Sequence, residues 1–284
     1  MRVISIANFK GGTGKTVTAC NLAALLARDG LRVLLIDADA QHNSTDFFGG
    51  DTDAPTLTDV LEGTGEQTAD SEARNTSHAK PRVAIDYLQE TELDNLDLLA
   101  ADMGLLRLDL AAIMSQANAP LRRFDDFLDA VREQSSDASH ESPRVGMDGG
   151  YDFVIIDCPP SFTAASVAAL VNSDEVILPT RGDAFSRAGV LELVDQLQKV
   201  GLRLLRPMPR IRVLVTMADA RASLPKQIEA LFRRSGFEVF RTVIRSGIRV
   251  SQSTWQRTPL YLSDPKCKPA QDYEALAKEV RGDE

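Results

Sequence analysis

Cysteine is scarce in this chain of 284 residues: Cys20, Cys158 and Cys267 stand far apart, with no C-x-x-C spacing. That argues against a disulfide framework and against a zinc or iron–sulfur ligand set, and it suits a reducing cytoplasm. Long apolar runs are also missing. No stretch approaches the roughly 18 residues of a membrane span, and the chain enters an apolar strand at once, without the charged region and apolar core of a secretory leader. Neither membrane insertion nor secretion is expected. Positive charge is short overall, with 32 Lys+Arg against 41 Asp+Glu and a net charge of −9, a balance that alone argues against a nucleic-acid partner. The average hides a split. Residues 199–268 carry 15 Lys+Arg against 4 Asp+Glu, a surplus of +11 that leaves −20 for the rest of the chain. A basic segment on an acidic protein is an electrostatic footprint.

With 43% apolar residues, the chain can fill the core of one large α/β domain, read here as spanning residues 1–284. Its organising stretch is Asn8-Phe9-Lys10-Gly11-Gly12-Thr13-Gly14-Lys15-Thr16. An apolar run from Val3 to Ala7 precedes it, and a helical pattern from Val17 to Arg28 follows, stopped by Asp29-Gly30. Strand, Gly-rich turn and helix make a phosphate-binding context. The glycines let the backbone curl with its N–H groups inward, and the helix adds the positive end of its dipole at the same point. Lys15 brings a full charge to the β- and γ-phosphates of a nucleotide, and the Thr16 hydroxyl is placed to ligand a magnesium ion. Phe9 stands where the P-loop pattern G-x-x-x-x-G-K-[ST] has its first glycine, and a second lysine, Lys10, stands at the front of the loop.

Residues 31–37 form a second apolar run, as expected of a parallel strand covered on both faces, and it ends in Asp37-Ala38-Asp39-Ala40-Gln41. Acids at the carboxyl end of such a strand sit where ligands bind in open α/β sheets. Residues 42–80 read mostly as loop, with a short helical signal at Thr56 to Leu61; Asn43, Ser44 and Thr45 lie close enough to the acids to sense a γ-phosphate. Leu96 to Ala100 reads as a short strand, and Asp109 to Met114 and Phe124 to Val131 as amphipathic helices. Residues 134–150 have no core-forming pattern and read as a surface insertion. Tyr151 to Asp157 is a third buried strand ending in an acid, followed by Cys158-Pro159-Pro160-Ser161. This is a Walker B arrangement, in which Asp157 meets the magnesium ion through water. Cys158 reads as a small buried residue. Strands at Val176 to Pro179 and Ile211 to Thr216, with a helix at Ala188 to Val200 between them, complete a doubly wound, mostly parallel sheet flanked by helices on both faces.

The run K-G-G-x-G-K-T from Lys10, the D-x-D-x-Q run from Asp37 and the D-C-P-P-S run from Asp157 together resemble the deviant Walker A ATPases of the ParA/MinD family, ParA above all. Ala40 replaces the proline usual after the second acid. Val215 to Arg221 is similar to the family's L-T-M-x-D-x-R. Phe240 to Arg249 resembles T-V-I-P-R-N-V-R, with Arg245, Ser246 and Gly247 where Pro, Arg and Asn are usual. The resemblance runs from residue 2 to about 280 with gaps at 50–80 and 134–150, and the helix-turn-helix extension that some plasmid members carry in front is not seen.

The resemblance implies an ATP-binding set of Lys10, Gly11, Gly12, Thr13, Gly14, Lys15, Thr16 and Val17, with Met217 near the base. It implies a magnesium ion held by Thr16, Asp39 and Asp157, the aspartates through water, with Asp37 supporting that shell. Asp39 positions the attacking water, and Lys10 reaches across an ATP-dependent homodimer to the partner's nucleotide. Lys10, Lys15, Asp39 and Asp157 thus form the catalytic set. The implied function is slow ATP hydrolysis that switches a cytoplasmic, nucleoid-associated dimer on and off non-specific double-stranded DNA, in plasmid or chromosome partition with a ParB-like adaptor. Arg221, Arg249 and Arg245 are the candidate DNA contacts. An alternative is a ParA-like ATPase that positions a protein cargo, a chemoreceptor cluster or microcompartment, on the nucleoid. A MinD-like membrane-cycling ATPase should end in a basic amphipathic helix, whereas this sequence ends in Gly282-Asp283-Glu284.

Overall fold

A computed structural model of the chain describes residues 1–63, 84–115, 119–134, 150–181, 184–219 and 230–283. The segments 64–83 and 135–149, which hold part of one predicted loop and most of the predicted insertion, lie outside the described residues. Eight strands form one sheet: β1 (Arg2–Ile6), β2 (Val33–Asp37), β3 (Gln89–Glu90), β4 (Leu96–Leu99), β5 (Phe153–Asp157), β6 (Glu175–Arg181), β7 (Arg210–Ala218) and β8 (Glu238–Arg245). Their order is β3-β4-β2-β5-β1-β6-β7-β8. All neighbours run parallel except β3, a two-residue edge strand antiparallel to β4.

Alternate residues of each central strand feed two separate cores. Val154 and Ile156 join the core under the Ala119–Gln134, Ala164–Val171 and Ala184–Leu204 helices, while Phe153 and Ile155 face the other side. There the Lys15–Arg28 helix packs against the sheet and against the C-terminal Lys268–Arg281 helix, which lies beside it on β8, and this double contact explains why nearly all of its side chains are small or apolar and buried. The C-terminal helix spends its apolar face, Ala270, Tyr273, Leu276, Ala277 and Val280, on this contact.

Two segments differ from the sequence expectation. Residues 42–63 hold a helix at Asn43–Phe47, in a stretch read as loop, ahead of the expected helix at Leu57–Glu62. The second is set by a local box: the Thr56 hydroxyl accepts from Thr58 N at 3.2 Å and the Asp59 carboxylate from Thr56 N at 2.9 Å. The first is held by tertiary bonds described below. Residues 240–245, for which no strand was expected above, are the body of edge strand β8, with Val239, Phe240 and Ile244 buried. Its outward N–H groups do not wait for another strand: Glu279 accepts from Arg241 N at 2.8 Å and Thr242 N at 3.0 Å, which blunts the edge against pairing.

At the opposite end of the sheet from the Gly-rich turn, Glu175 is 1% exposed and accepts from both Arg2 and Arg212, while the Arg212 guanidinium carbon lies 3.8 Å from the centroid of the Phe240 ring. Removing the shared acid strands a buried cation. Glu175→Ala should therefore destabilise the fold by about 3–5 kcal/mol, read as a drop in urea midpoint, while Glu238→Ala, which removes only an exposed partner of Arg210, should change it by less than about 1 kcal/mol.

Candidate nucleotide site

β1 delivers the Gly-rich turn to the carboxyl edge of the sheet between β5 and β6. Gly12 (φ 68°) and Gly14 (φ 87°) take left-handed backbone that side chains rarely adopt, and this curls residues 10–15 into an open cradle. Several ties fix its shape. Asn8 Nδ2 donates to Pro179 O at 2.7 Å, Lys10 N donates to Asn8 Oδ1 at 3.0 Å, and the Thr216 hydroxyl donates to Thr13 O at 2.8 Å. Phe9 packs edge-on against Phe162, 4.7 Å between centroids, and so links the loop to the turn after β5. Phe9 is thus an anchor where the ordinary P-loop has glycine.

Lys15 opens the helix, is buried, and points its Nζ back at Lys10 O, 3.4 Å away. Burial lowers its pKa, and the nearby carboxylates of Asp157 and Asp39 counter that shift. Such a cation is drawn toward negative charge entering the cradle. Met217, at φ 52°, ends β7 with its Cε 3.8 Å from where a Cβ on Gly14 would stand.

Two carboxylates dominate the floor. Asp37 and Asp157 face each other in register at the ends of β2 and β5, and both are wholly buried. Asp37 accepts from Thr45 N at 2.8 Å, Thr45 Oγ1 at 2.9 Å and, through its other oxygen, Asp39 N at 3.1 Å. Asp157 Oδ2 accepts from Ser44 Oγ at 2.6 Å, and the Thr16 hydroxyl bonds the same carboxyl. Asp157 Oδ1 is buried without a hydrogen-bond partner. Burial pushes both acids above the usual carboxylate range; for Asp37 the neighbouring charge of Asp157 adds to the rise. Ser44 and Thr45 thus hold the acids, a role sequence spacing did not reveal. Asp39 is half-buried above the floor, its Oδ1 taken by Gln41 N at 3.0 Å. The thiol of Cys158 is buried and pushed upward by burial and Asp157, which leaves it inert.

The candidate DNA contacts lie elsewhere. Arg221 falls outside the described residues. The Arg245 guanidinium and backbone N both bond Asp272, at 2.8 and 2.9 Å, an internal engagement in place of a free cation. Arg249 heads the Ile248–Trp255 helix, more than half exposed, bonded to Gln252 at 2.8 Å and Asp264 at 3.0 Å.

A parallel sheet with a glycine cradle at a helix N-terminus, a buried lysine and an acid closing the adjacent strand defines a P-loop nucleoside triphosphatase. A family model described as "AAA domain" matches residues 1–208. The chain is 35% identical to the chromosome partitioning protein ParA of Caulobacter vibrioides, over 99% of this chain and 94% of that protein. It is 31% identical to the sporulation initiation inhibitor protein Soj of Bacillus subtilis, over 98% of each. In fold it is similar to the apo McdA of Cyanothece, with a TM-score of 0.76 at 21% identity, covering 99% of this chain and all of that one. The chain belongs to the ParA/Soj family of deviant Walker A proteins and is a partition-type P-loop ATPase.

A carboxyl whose folded pKa lies above its unfolded value is protonated in the fold and ionised in the unfolded chain between those values. The nucleotide-free fold therefore loses stability as pH rises from about 4 through the raised folded values. Asp157→Asn removes one such group and the charge that lifts Asp37. In urea titrations without nucleotide, the variant should gain stability relative to wild type at pH 8 and show little gain at pH 4; a constant difference across the range would mean that the pair does not titrate as placed.

Proposed function

We propose that this ATPase is a magnesium-dependent switch: ATP joins two protomers, the dimer binds double-stranded DNA without sequence preference, and hydrolysis releases it. Its cargo would be a plasmid or chromosome, engaged through a ParB-like adaptor. The observation that carries this reading is the unpartnered Oδ1 of Asp157 on the buried floor beside Thr16, next to an open cradle that Lys15 closes. Among the described residues, no group of three or more His, Cys, Asp or Glu gathers as a metal cage. That suits magnesium, which takes one or two protein oxygens and otherwise water and phosphate.

When bound, the ion would neutralise charge on the β- and γ-phosphates. Thr16 would hold it, with Asp157 and Asp39 reaching it through water and Asp37 fixing the support around it. The backbone of residues 11–17 would cradle the phosphates, Lys15 would balance their charge, and Met217 would lie toward the base. Asp39, half-buried over the floor, would position the attacking water. Lys10 would cross to the partner's nucleotide. A membrane-cycling reading is disfavoured because the apolar face of the C-terminal helix is already packed on the sheet. No helix among the described residues is long and apolar enough to cross a membrane.

The two lysines of one loop should fail differently. Lys15→Ala should abolish ATP binding itself. Lys10→Ala should bind ADP nearly as wild type yet neither dimerise with a non-hydrolysable ATP analogue in sedimentation nor hydrolyse ATP. Asp39→Ala should bind ATP and stay on DNA while turnover falls at least about a hundredfold, the scale of a lost acid–base or positioning group. A Lys10→Ala protein that dimerises and turns over normally would sink the cross-interface role.

A further inference from the structure

The Ile248–Trp255 helix leaves side chains in water that are seldom left there. Trp255, the single tryptophan of the chain, is 89% exposed and Ile248 is 75% exposed. Seven residues apart, they share one helical face, with Gln252 between them; the helix buries only Ser253. Large apolar groups grouped on a protein surface mark a place where something docks. The surrounding charge indicates what. Residues 239–263 contain four arginines and no Asp or Glu; Arg245 is held by Asp272 and Arg249 shares Asp264 from outside that span, yet Arg249 stays more than half exposed. Arg249 heads this helix, and Arg257, exposed, follows it directly.

A lipid surface would ask for a long apolar stripe, and this helix has 8 residues with two large apolar groups on its outer face. A duplex asks for the combination seen: cations for the phosphates and a compact apolar group for the base steps, where wedging side chains unstack and bend the DNA.

We propose that Trp255, supported by Ile248, is an apolar wedge against the base steps of duplex DNA, on a surface where Arg249 and Arg257 face phosphates. This rests on the reading of the ATPase as a non-specific DNA binder and divides its affinity into two physically distinct parts. Phosphate contacts release counterions and weaken with salt, at a slope of about −0.9 in log affinity per phosphate. An indole against a base releases none. Trp255→Ala should therefore weaken DNA binding by about tenfold, the scale of a lost aromatic–base contact, at every salt concentration, with the slope unchanged. Arg249→Ala should make the slope shallower by about one unit.

The test uses the full chain loaded with a non-hydrolysable ATP analogue and magnesium, and a random-sequence duplex. Because Trp255 is the only tryptophan, intrinsic emission reports on this position alone. Emission should be quenched by duplex, and neither the analogue alone nor phosphatidylserine vesicles should move it. Trp255→Ala should show the tenfold loss in filter binding at constant slope, and Trp255→Phe should recover most of it. A shift with analogue alone, joined to loss of the dimer in Trp255→Ala, would place the indole against a second copy and overturn the wedge. A blue shift with vesicles in place of DNA would overturn it in favour of lipid. Normal DNA retention with unmoved emission and an unaffected Trp255→Ala would overturn the wedge and leave DNA binding standing; no retention of DNA under any condition would remove both.

Discussion

Two buried carboxyl groups facing each other, Asp37 and Asp157, set the terms for the rest of this molecule. Taking an ionised carboxylate out of water costs several kcal/mol after relaxation, and two side by side add mutual repulsion. The surrounding elements are arranged to offset this. Thr45 and the Asp39 amide serve Asp37, Ser44 and Thr16 serve Asp157, and Lys15 brings a positive charge nearby. A core chosen only for stability would place apolar side chains at these strand ends, as it does one residue earlier with Ile36 and Ile156.

That arrangement explains which parts of the fold were legible in the sequence. β1, β2 and β5 are covered on both faces, so they read as nearly unbroken apolar runs, and each runs directly into a motif at its carboxyl end. The glycine turn declares itself because few other residues tolerate its backbone. The Asn43–Phe47 helix does not, since Ser44 and Thr45 are polar and gain their place only from acids 8 and 113 residues away in the chain. Nor did β8, where Arg241 and Arg245 interrupt the apolar pattern of a strand whose Val239 enters one core and whose Phe240 and Ile244 enter the other. The Asn8 and Thr216 ties to the loop are long-range bonds that spacing cannot reveal.

Charge counted along the sequence proved a poor guide to charge on the surface. Arg206, Arg210, Arg212, Arg245 and Arg249 each meet an acid, and Arg212 is buried under an aromatic ring. Much of the basic surplus of residues 199–268 is therefore structural. What survives as a feature of the surface is narrower: the stretch around the Ile248–Trp255 helix, where the exposed Arg249 and Arg257 and an exposed indole fall together.

The same economy of charge bears on how occupancy of the site would be felt elsewhere. On the reading proposed above, a cation drawn to the unpartnered Oδ1 of Asp157 would withdraw charge from the same carboxyl that the Ser44 hydroxyl bonds through Oδ2. Ser44 and Thr45 are adjacent, so a change at one acid is carried to the other through a single helical turn. Thr45 in turn receives the Ala101 amide at 2.9 Å on its hydroxyl, which ties this turn to the end of β4. The short helix thus hangs on bonds to groups whose charge depends on what the cradle holds, and it has little hydrophobic anchoring of its own beyond Phe47. An element held mainly by charge-dependent bonds is the one whose equilibrium a ligand can shift, because its competing arrangements differ by the few hydrogen bonds that the ligand makes or breaks.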